Sequence, residues 1–248
     1  MWHWLGRVPF AEAAALQEKL RSDIGDHRAP ETLLLLEHHP VVTLGKSARR
    51  DNVLASETSL AARGIELHRA SRGGDVTYHG PGQLVGYPMV RLRAGVRAHI
   101  EGMAAAIREV LGELGIMARY RKEAPGLWVD GPTGPAKICA FGVNVHHRIT
   151  IHGFALNLDP DLDAFRLIVP CGIVGCAVTS VRACREVTGT PAPAPKLASK
   201  TAATPTPTPF GLSARVAAAL GSHLGVTFAS GSASEIAKPG EATTMTHA

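Results

Sequence analysis

Residues 72–88 read RGGDVTYHGPGQLVGYP. Five of these seventeen residues are glycine, so the backbone can turn tightly and approach a ligand closely. The same run carries Arg72, Asp75, Thr77, Tyr78, His79 and Gln83, then passes into strand-forming residues at Leu84, Val85 and Tyr87. A plain surface loop needs neither so many glycines nor so many specific hydrogen-bonding groups. The run therefore reads as a turn and strand forming one wall of a small-molecule pocket.

Working outward, residues 10–24 have helical character and end near Gly25. The segments 31–37 (ETLLLLE) and 41–44 read as strands around the turn His38-His39-Pro40. A short helix is expected over 52–63 and a strand over 64–68. On the other side, residues 97–115 form the clearest helix. Ile100, Met103, Ala104, Ile107, Val110, Leu111 and Leu114 recur on one face, and Gly115 suits its C-terminal cap. Strands are expected over 118–121, 126–129, 137–145 and 149–158, the last two flanking His146-His147-Arg148 as a hairpin. This alternation predicts an α+β (α/β) fold of mixed sheets flanked by helices.

The composition divides the chain. Residues 1–187 read as one catalytic domain. Residues 188–209, with TPAPAPKLASKTAATPTPTP at 190–209, read as a Pro/Thr-rich linker or insertion. A helix over 210–229 is expected to pack back on the domain, and the polar segment 230–248 is expected to be a disordered tail.

With 248 residues, a net charge of +5 and a pI near 9.2, the chain can bury a sizeable core and is mildly basic. No Lys/Arg block suggests nucleic acid, and no apolar run is long enough to span a membrane. The N-terminus lacks the pattern of a secretory signal. The four cysteines, Cys139, Cys171, Cys176 and Cys184, form no CxxC pair and read as free thiols in a reducing cytoplasm.

Two residues stand out for chemistry. Lys137 opens the apolar run KICAFGVNV, and burying an ammonium is costly unless it is paired. The bland alternative places it at a strand start with its amine in water. Cys171 lies between Pro170 and Gly172 in a tight turn that an incoming acyl group could reach. The bland alternative is a small buried hydrophobe, which also suits the other three cysteines. His79 is the best placed of the twelve histidines. No metal-ligand spacing and no phosphate-binding glycine motif occurs, so neither a metal nor a cofactor is expected.

Four stretches taken together resemble the lipoyl(octanoyl) transferases. They are LLLLEHHPVVTLG (33–45), RGGDVTYHGPGQLVGYP (72–88), AKICAFGVNV with ITIHGFALNL (136–158) and IVPCGIVGCAVTSV (168–181). The resemblance covers about residues 10–187. It implies a fold like the catalytic domains of biotin and lipoate ligases, with Cys171 as nucleophile and Lys137 as its partner. It implies an acyl pocket lined by Arg72, Gly73, Gly74, Asp75, Val76, Thr77, Tyr78 and His79, completed by Ala140, Phe141, Gly142 and by Gly153, Phe154, Ala155.

The implied donor is octanoyl-acyl carrier protein. The implied acceptors are lipoyl domains of 2-oxoacid dehydrogenases and the glycine cleavage H protein. No ATP would be required, because the acyl group arrives already activated as a thioester. Three other readings remain open at this point: an ATP-dependent lipoate or biotin ligase, a non-catalytic lipoyl-domain-binding module, and a Cys-His thioesterase.

Overall fold

The computed structural model describes residues 1–131, 134–188 and 206–236. In chain order the elements are β1 (Trp2–Val8), α1 (Phe10–Gly25), β2 (Thr32–His38), β3 (Val41–Leu44), α2 (Glu57–Ala62), β4 (Glu66–Arg69), β5 (Val76–His79) and β6 (Gln83–Met89). There follow α3 (Val96–Glu113), β7 (Arg119–Tyr120), β8 (Gly126–Gly131), β9 (Gly134–His146), β10 (Ile149–Asn157), β11 (Ala177–Val178), α4 (Val181–Thr188) and α5 (Pro209–Leu224).

The large sheet runs β1-β2-β6-β10-β9-β8-β7. Its β1–β2 pair is parallel and the others along that path are antiparallel. β10 and β9 pair from Ile149↔His146 to Leu156↔Cys139. Beyond Cys139 the edge of β9 is taken over by β11, which pairs Val178 with Lys137 in parallel. A small sheet, β4-β3-β5, stands apart from it.

The run of four leucines in β2 explains how the large sheet is covered. Successive side chains of a strand point to opposite faces. Leu33 and Leu35 join the cluster under α3 and α5, while Leu34 and Leu36 join the cluster under α1. A strand buried on both faces reads as a continuous apolar run. The helix expected over 97–115 is α3, whose Met103, Ile107 and Leu111 are fully buried in the first cluster. Gly115, at φ +78°, takes the left-handed conformation that stops it. Helix α5 starts on a Thr208 cap, with the Thr208 side chain accepting from Gly211 N, and adds Val216 and Leu220 to the same cluster. A third cluster joins the small sheet to α2 and a 3-10 turn at Leu162–Leu167. Among the described residues no helix is long and apolar enough to cross a membrane.

Three expectations change. β1 and α4 have no counterpart in the sequence reading. The helix expected over 52–63 shrinks to Glu57–Ala62, because Ser56 caps it there by accepting from Ser59 N. The segment assigned to a disordered tail stays packed as far as Ile236. Trp2 N donates to Ala229 O at 2.7 Å, Gly231 N donates to Trp2 O at 2.9 Å, and Ile236 is buried in the α1 cluster. Polar composition hid this attachment, which consists mainly of main-chain hydrogen bonds to β1. Residues 189–205 of the expected linker and 237–248 of the expected tail lie outside the described residues.

Because α5 shares its core with α3 and β2, Leu220→Ala should cost about 2–5 kcal/mol of stability, as a buried Leu-to-Ala change does. Urea unfolding measures this. A loss below about 0.5 kcal/mol, the scale of a surface substitution, would show α5 to be an appendage.

Candidate active site

Segments from both sheets meet around a cavity of about 380 Å³. The large sheet contributes Tyr87, Ala140–Gly142 and Gly153–Ala155. The loop before β5 and β5 itself contribute Arg72–Thr77 and His79. Lys137 and Cys171 also line it, so the structure brings together residues from four distant stretches of sequence.

Lys137 is 4% exposed. Its Nζ donates to Cys171 Sγ at 3.1 Å and lies 3.5 Å from Pro125 O and 4.8 Å from the centre of the Trp128 ring. The contact depends on an irregularity in the sheet. Leu127 pairs with Cys139 but Trp128 pairs with Lys137, so Ile138 is an extra residue in β9. A chain of hydrogen bonds fixes Lys137 from behind. Thr179 N donates to Lys137 O, Asn157 Nδ2 to Thr179 O, and Gln83 Nε2 to Asn157 Oδ1, at 3.0, 2.9 and 3.0 Å. Gln83 Oε1 then accepts from His79 Nδ1 at 3.0 Å. Asn157 and Trp128 escaped the sequence reading. An Asn ending a strand and a Trp within one carry no signal of what they will touch.

Cys171 sits in a 3-10 turn, Pro170–Gly172, with φ at +57°. A non-glycine residue there is strained by roughly 1–3 kcal/mol. The turn is held by Val169 N donating to Asn52 O, Gly172 N to Val169 O and Ile173 N to Pro170 O, at 2.7, 2.9 and 3.1 Å. Gly172, at φ +69°, is required twice over, because a Cβ there would lie 2.4 Å from Asp75 Oδ2. The other thiols differ in setting. Burial pushes those of Cys139, Cys176 and Cys184 up from the ordinary range.

Three predicted ligand contacts have other work. Tyr78 does not line the cavity. Alternation along β5 turns its ring into the third cluster, 5.5 Å from the Phe165 ring, and burial raises its hydroxyl to about 12. Arg72 does line the cavity, but all its donors are committed to protein. Nε and Nη2 donate to Thr43 Oγ1 at 3.2 and 2.8 Å, Nη2 also to Thr43 O at 2.7 Å, and Nη1 to Gly73 O and Asp75 O at 3.1 and 2.7 Å. Asp75 is likewise a loop-holding residue, with its carboxylate accepting from Arg49 N, Asn52 Nδ2 and Val76 N.

Neutral rings, His79, Tyr87 and His152, form another part of the wall, with His38 hydrogen-bonded to Tyr87 behind them. His38 Nδ1 donates to Val8 O at 2.8 Å, so its Nε2 accepts from the Tyr87 hydroxyl at 2.7 Å. Burial lowers His38 to about 4, His152 to about 3 and His79 well below the ordinary value, and raises Tyr87. His152 has φ +59°, which places it beside Tyr87 although its neighbour Ile151 packs there too.

The chain is similar to known proteins over most of its length. Residues 9–196 match the family described as the lipoyl protein ligase A/B catalytic domain. The chain is 44% identical over 183 residues to an octanoyltransferase of Chloroflexus aurantiacus, covering 72% of this chain and 81% of that one. A Myxococcus xanthus octanoyltransferase is also 44% identical over 183 residues, covering 72% of this chain; there the match spans about half of the relative's length, 51%. In fold it is similar to a bipartite lipoate protein ligase of Thermoplasma acidophilum, with a TM-score of 0.62, 15% identity, and coverage of 93% of this chain and 86% of that one. A lipoate-protein ligase A bound with ATP gives the same TM-score at 16% identity, covering 93% and 87%. The chain belongs to the lipoyl protein ligase A/B catalytic domain family, and within it to the acyltransferases.

Two outcomes follow from this geometry. Gly172→Ala should cost roughly 1–3 kcal/mol of stability, the scale of a non-glycine residue held at positive φ, read as a lowered melting temperature, and should change the rate at which Cys171 reacts with iodoacetamide. An unchanged rate would show that the turn tolerates a Cβ. The neutral histidines also set a pH dependence. Their folded values lie below the unfolded value near 6.5, so the unfolded chain binds more protons between about pH 4 and 6.5. Stability should therefore fall as pH drops through this window, by roughly 1–2 kcal/mol per histidine at pH 5. Urea unfolding of wild type and His38→Gln at pH 7 and pH 5 measures it, and the variant should lose less on acidification.

Proposed function

We propose that this chain transfers an octanoyl group from octanoyl-acyl carrier protein to the lysine amine of a lipoyl domain, through an acyl-thioester on Cys171. The observation that carries the reading is the Lys137 ammonium 3.1 Å from the Cys171 sulfur, at a cavity whose other walls include Ala140, Gly142, Phe154 and Ala155. An activated-acid ligase needs no such sulfur–ammonium pair, whereas a thioester exchange requires a nucleophile and a nearby proton carrier. The relatives named octanoyltransferase give the acyl group its identity. The cavity volume lies in the range of small-ligand sites.

The first step is nucleophilic attack by Cys171 on the carrier's thioester carbonyl. The bond from sulfur to the acyl carbon forms, the bond to the carrier's thiol breaks, and the departing thiolate takes a proton from Lys137. One thioester replaces another, so the step is close to isoenergetic. In the second step the neutral amine of the lipoyl-domain lysine attacks the Cys171 thioester. The amide bond forms, the nitrogen's proton passes to Lys137, and Cys171 leaves as thiolate. Thioester becomes amide, which is strongly downhill and drives the sequence without ATP. Lys137 thus serves as acid in one half and base in the other.

The acceptors in this reading are lipoyl domains of 2-oxoacid dehydrogenases and the glycine cleavage H protein. The setting is the cytoplasm, where thiols stay reduced. Mixing the protein with octanoyl-acyl carrier protein, without ATP, should give an octanoyl adduct by intact mass that is lost in Cys171→Ser. No adduct, or one retained on Cys139 or Cys176, sinks the reading. Lys137→Ala should slow both adduct formation and transfer to a lipoyl domain by about 10²-fold or more while folding is retained; near-normal turnover would remove Lys137 from the chemistry.

A further inference from the structure

Lys137 Nζ meets Cys171 Sγ at 3.1 Å, Pro125 O at 3.5 Å and the centre of the Trp128 ring at 4.8 Å. Among the described residues no carboxylate stands within ion-pair distance of it. The carbonyl lies at the outer limit of a hydrogen bond. An ammonium taken out of water needs more than that. The ring face, which attracts a cation through its quadrupole, is the remaining partner.

The sheet brings ring and amine together. Leu127 pairs with Cys139, and one further regular pair would set Trp128 opposite Ile138. The extra residue in β9 changes that. Ile138 and Cys139 are successive, yet both are buried in the cluster under α3 and α5. Lys137 is thereby placed opposite Trp128, and directly opposed residues of an antiparallel pair share a face. Gly126, two residues before Trp128, lies on that face too. A Cβ on Gly126 would lie 2.9 Å from Lys137 Cε and 3.2 Å from its Cδ, so the lysine stem runs over bare glycine backbone. Trp128 Nε1 donates to Ala124 O at 3.0 Å, which turns the indole back along the same stretch. The Arg121 guanidinium also lies 5.1 Å from the ring centre, but Arg121 is exposed, and such a contact is weak in water. Lys137 and Trp128 are only 4% and 6% exposed.

We propose that Trp128 is a positioning residue for Lys137: its ring face, pinned by the Ala124 carbonyl beside the floor at Gly126, holds the amine against the Cys171 sulfur. The chemistry of the holder matters. A carboxylate in the same place would tie the ammonium in an ion pair and could accept its proton. A ring face attracts the cation and accepts no proton, and the indole's own N–H is committed to Ala124 O. The proton on the amine is left for the sulfur, the departing carrier thiolate and the incoming amine. That consequence rests on the transfer reading; the placement of the amine does not.

A double-mutant cycle in urea unfolding tests the placement. Trp128→Leu, Lys137→Met and the two combined should show a coupling of about tenfold in the unfolding equilibrium constant, the scale of a desolvated cation–π contact. Additivity within about twofold overturns the proposal. Should Trp128→Leu fail to fold, trifluorotryptophan at position 128 keeps the ring's shape and weakens its face. It should raise the unfolding constant by about threefold and leave that of Lys137→Met unmoved; equal effects on both overturn the proposal. Turnover gives a readout that general destabilisation does not move. Trp128→Leu should lower kcat for octanoyl transfer about tenfold with KM for the carrier unchanged, while Trp128→Phe, which keeps a ring face, stays within about threefold of wild type. In the Lys137→Ala background Trp128→Leu should cost nothing further. No loss in Trp128→Leu, equal losses in the Leu and Phe variants, or a loss that adds to that of Lys137→Ala each overturns the proposal. Unfolding needs no acyl donor. Coupling without an octanoyl adduct in the wild type counts against the transferase reading alone, and an adduct without coupling counts against Trp128 alone.

Discussion

The contact on which this molecule turns is the one between the Lys137 ammonium and the Cys171 sulfur. A lysine 4% exposed on a central strand is a liability unless its charge is met. Here it donates a hydrogen bond to a side chain 34 residues further along the chain, in a strained turn. Bringing these groups within 3.1 Å fixes much else. β10 ends its pairing with β9 at Cys139, β11 takes up the vacated edge, and the extra residue Ile138 lies between the Leu127–Cys139 and Trp128–Lys137 pairs. The Asn157–Thr179 hydrogen bond then ties the end of β10 to the segment that follows the Cys171 turn. These are features of one small region, and each would be unremarked in a sheet with no buried ammonium to place.

The cavity beside this pair is walled by polar groups that are prevented from charging. His79 gives its Nδ1 proton to Gln83, His38 behind the wall gives its own to Val8 O, and burial keeps these two and His152 neutral. Neutral imidazoles and a buried phenol present ring surface to a bound chain without asking it to satisfy a charge. Glycines in the other wall let backbones approach. At Gly153 a Cβ would lie 2.2 Å from Gly86 O, so the close packing of β10 on β6 excludes any larger residue. This stretch of the wall, His79, Tyr87 and His152, is therefore uncharged, while Arg72 and Lys137 bring positive charge to other parts of the lining.

Much of the frame could be read from local pattern. The leucine run of β2, the helical spacing of α3 and the β9–β10 hairpin are each decided by residues near one another in sequence. What escaped depends on distant partners. β1 is a short strand of mixed character whose parallel pairing with β2 is made across α1. Ser230–Ile236 looks like a tail until its hydrogen bonds to Trp2 and its buried Ile236 are seen. In the site, the segments were legible and the directions were not. Tyr78 and His79 are adjacent, and strand alternation sends one into the third cluster and the other to the cavity. Arg72 carries the strongest look of a ligand contact, yet its guanidinium closes the loop on itself. Sequence gives the residue types available to a pocket, and only the register decides which of them face it.

The same loop closure explains why an arginine is needed at position 72. Three points converge there: β3 through Thr43, the glycine turn through Gly73, and Asp75 just before β5. A planar fork with five donors can satisfy oxygens from all three at once, which a lysine with three rotating donors on a point charge does less well. Scaffold and electrostatics are therefore joined in one side chain. The glycine-rich run must bend closely to form the wall, bending exposes carbonyl oxygens inward, and the group that satisfies those oxygens is a permanent cation. A site built on such a loop acquires positive charge as a consequence of its folding. The Cys171 turn is packed against that loop by way of Gly172 and Asp75, so the backbone requirement of one segment fixes the placement of the other.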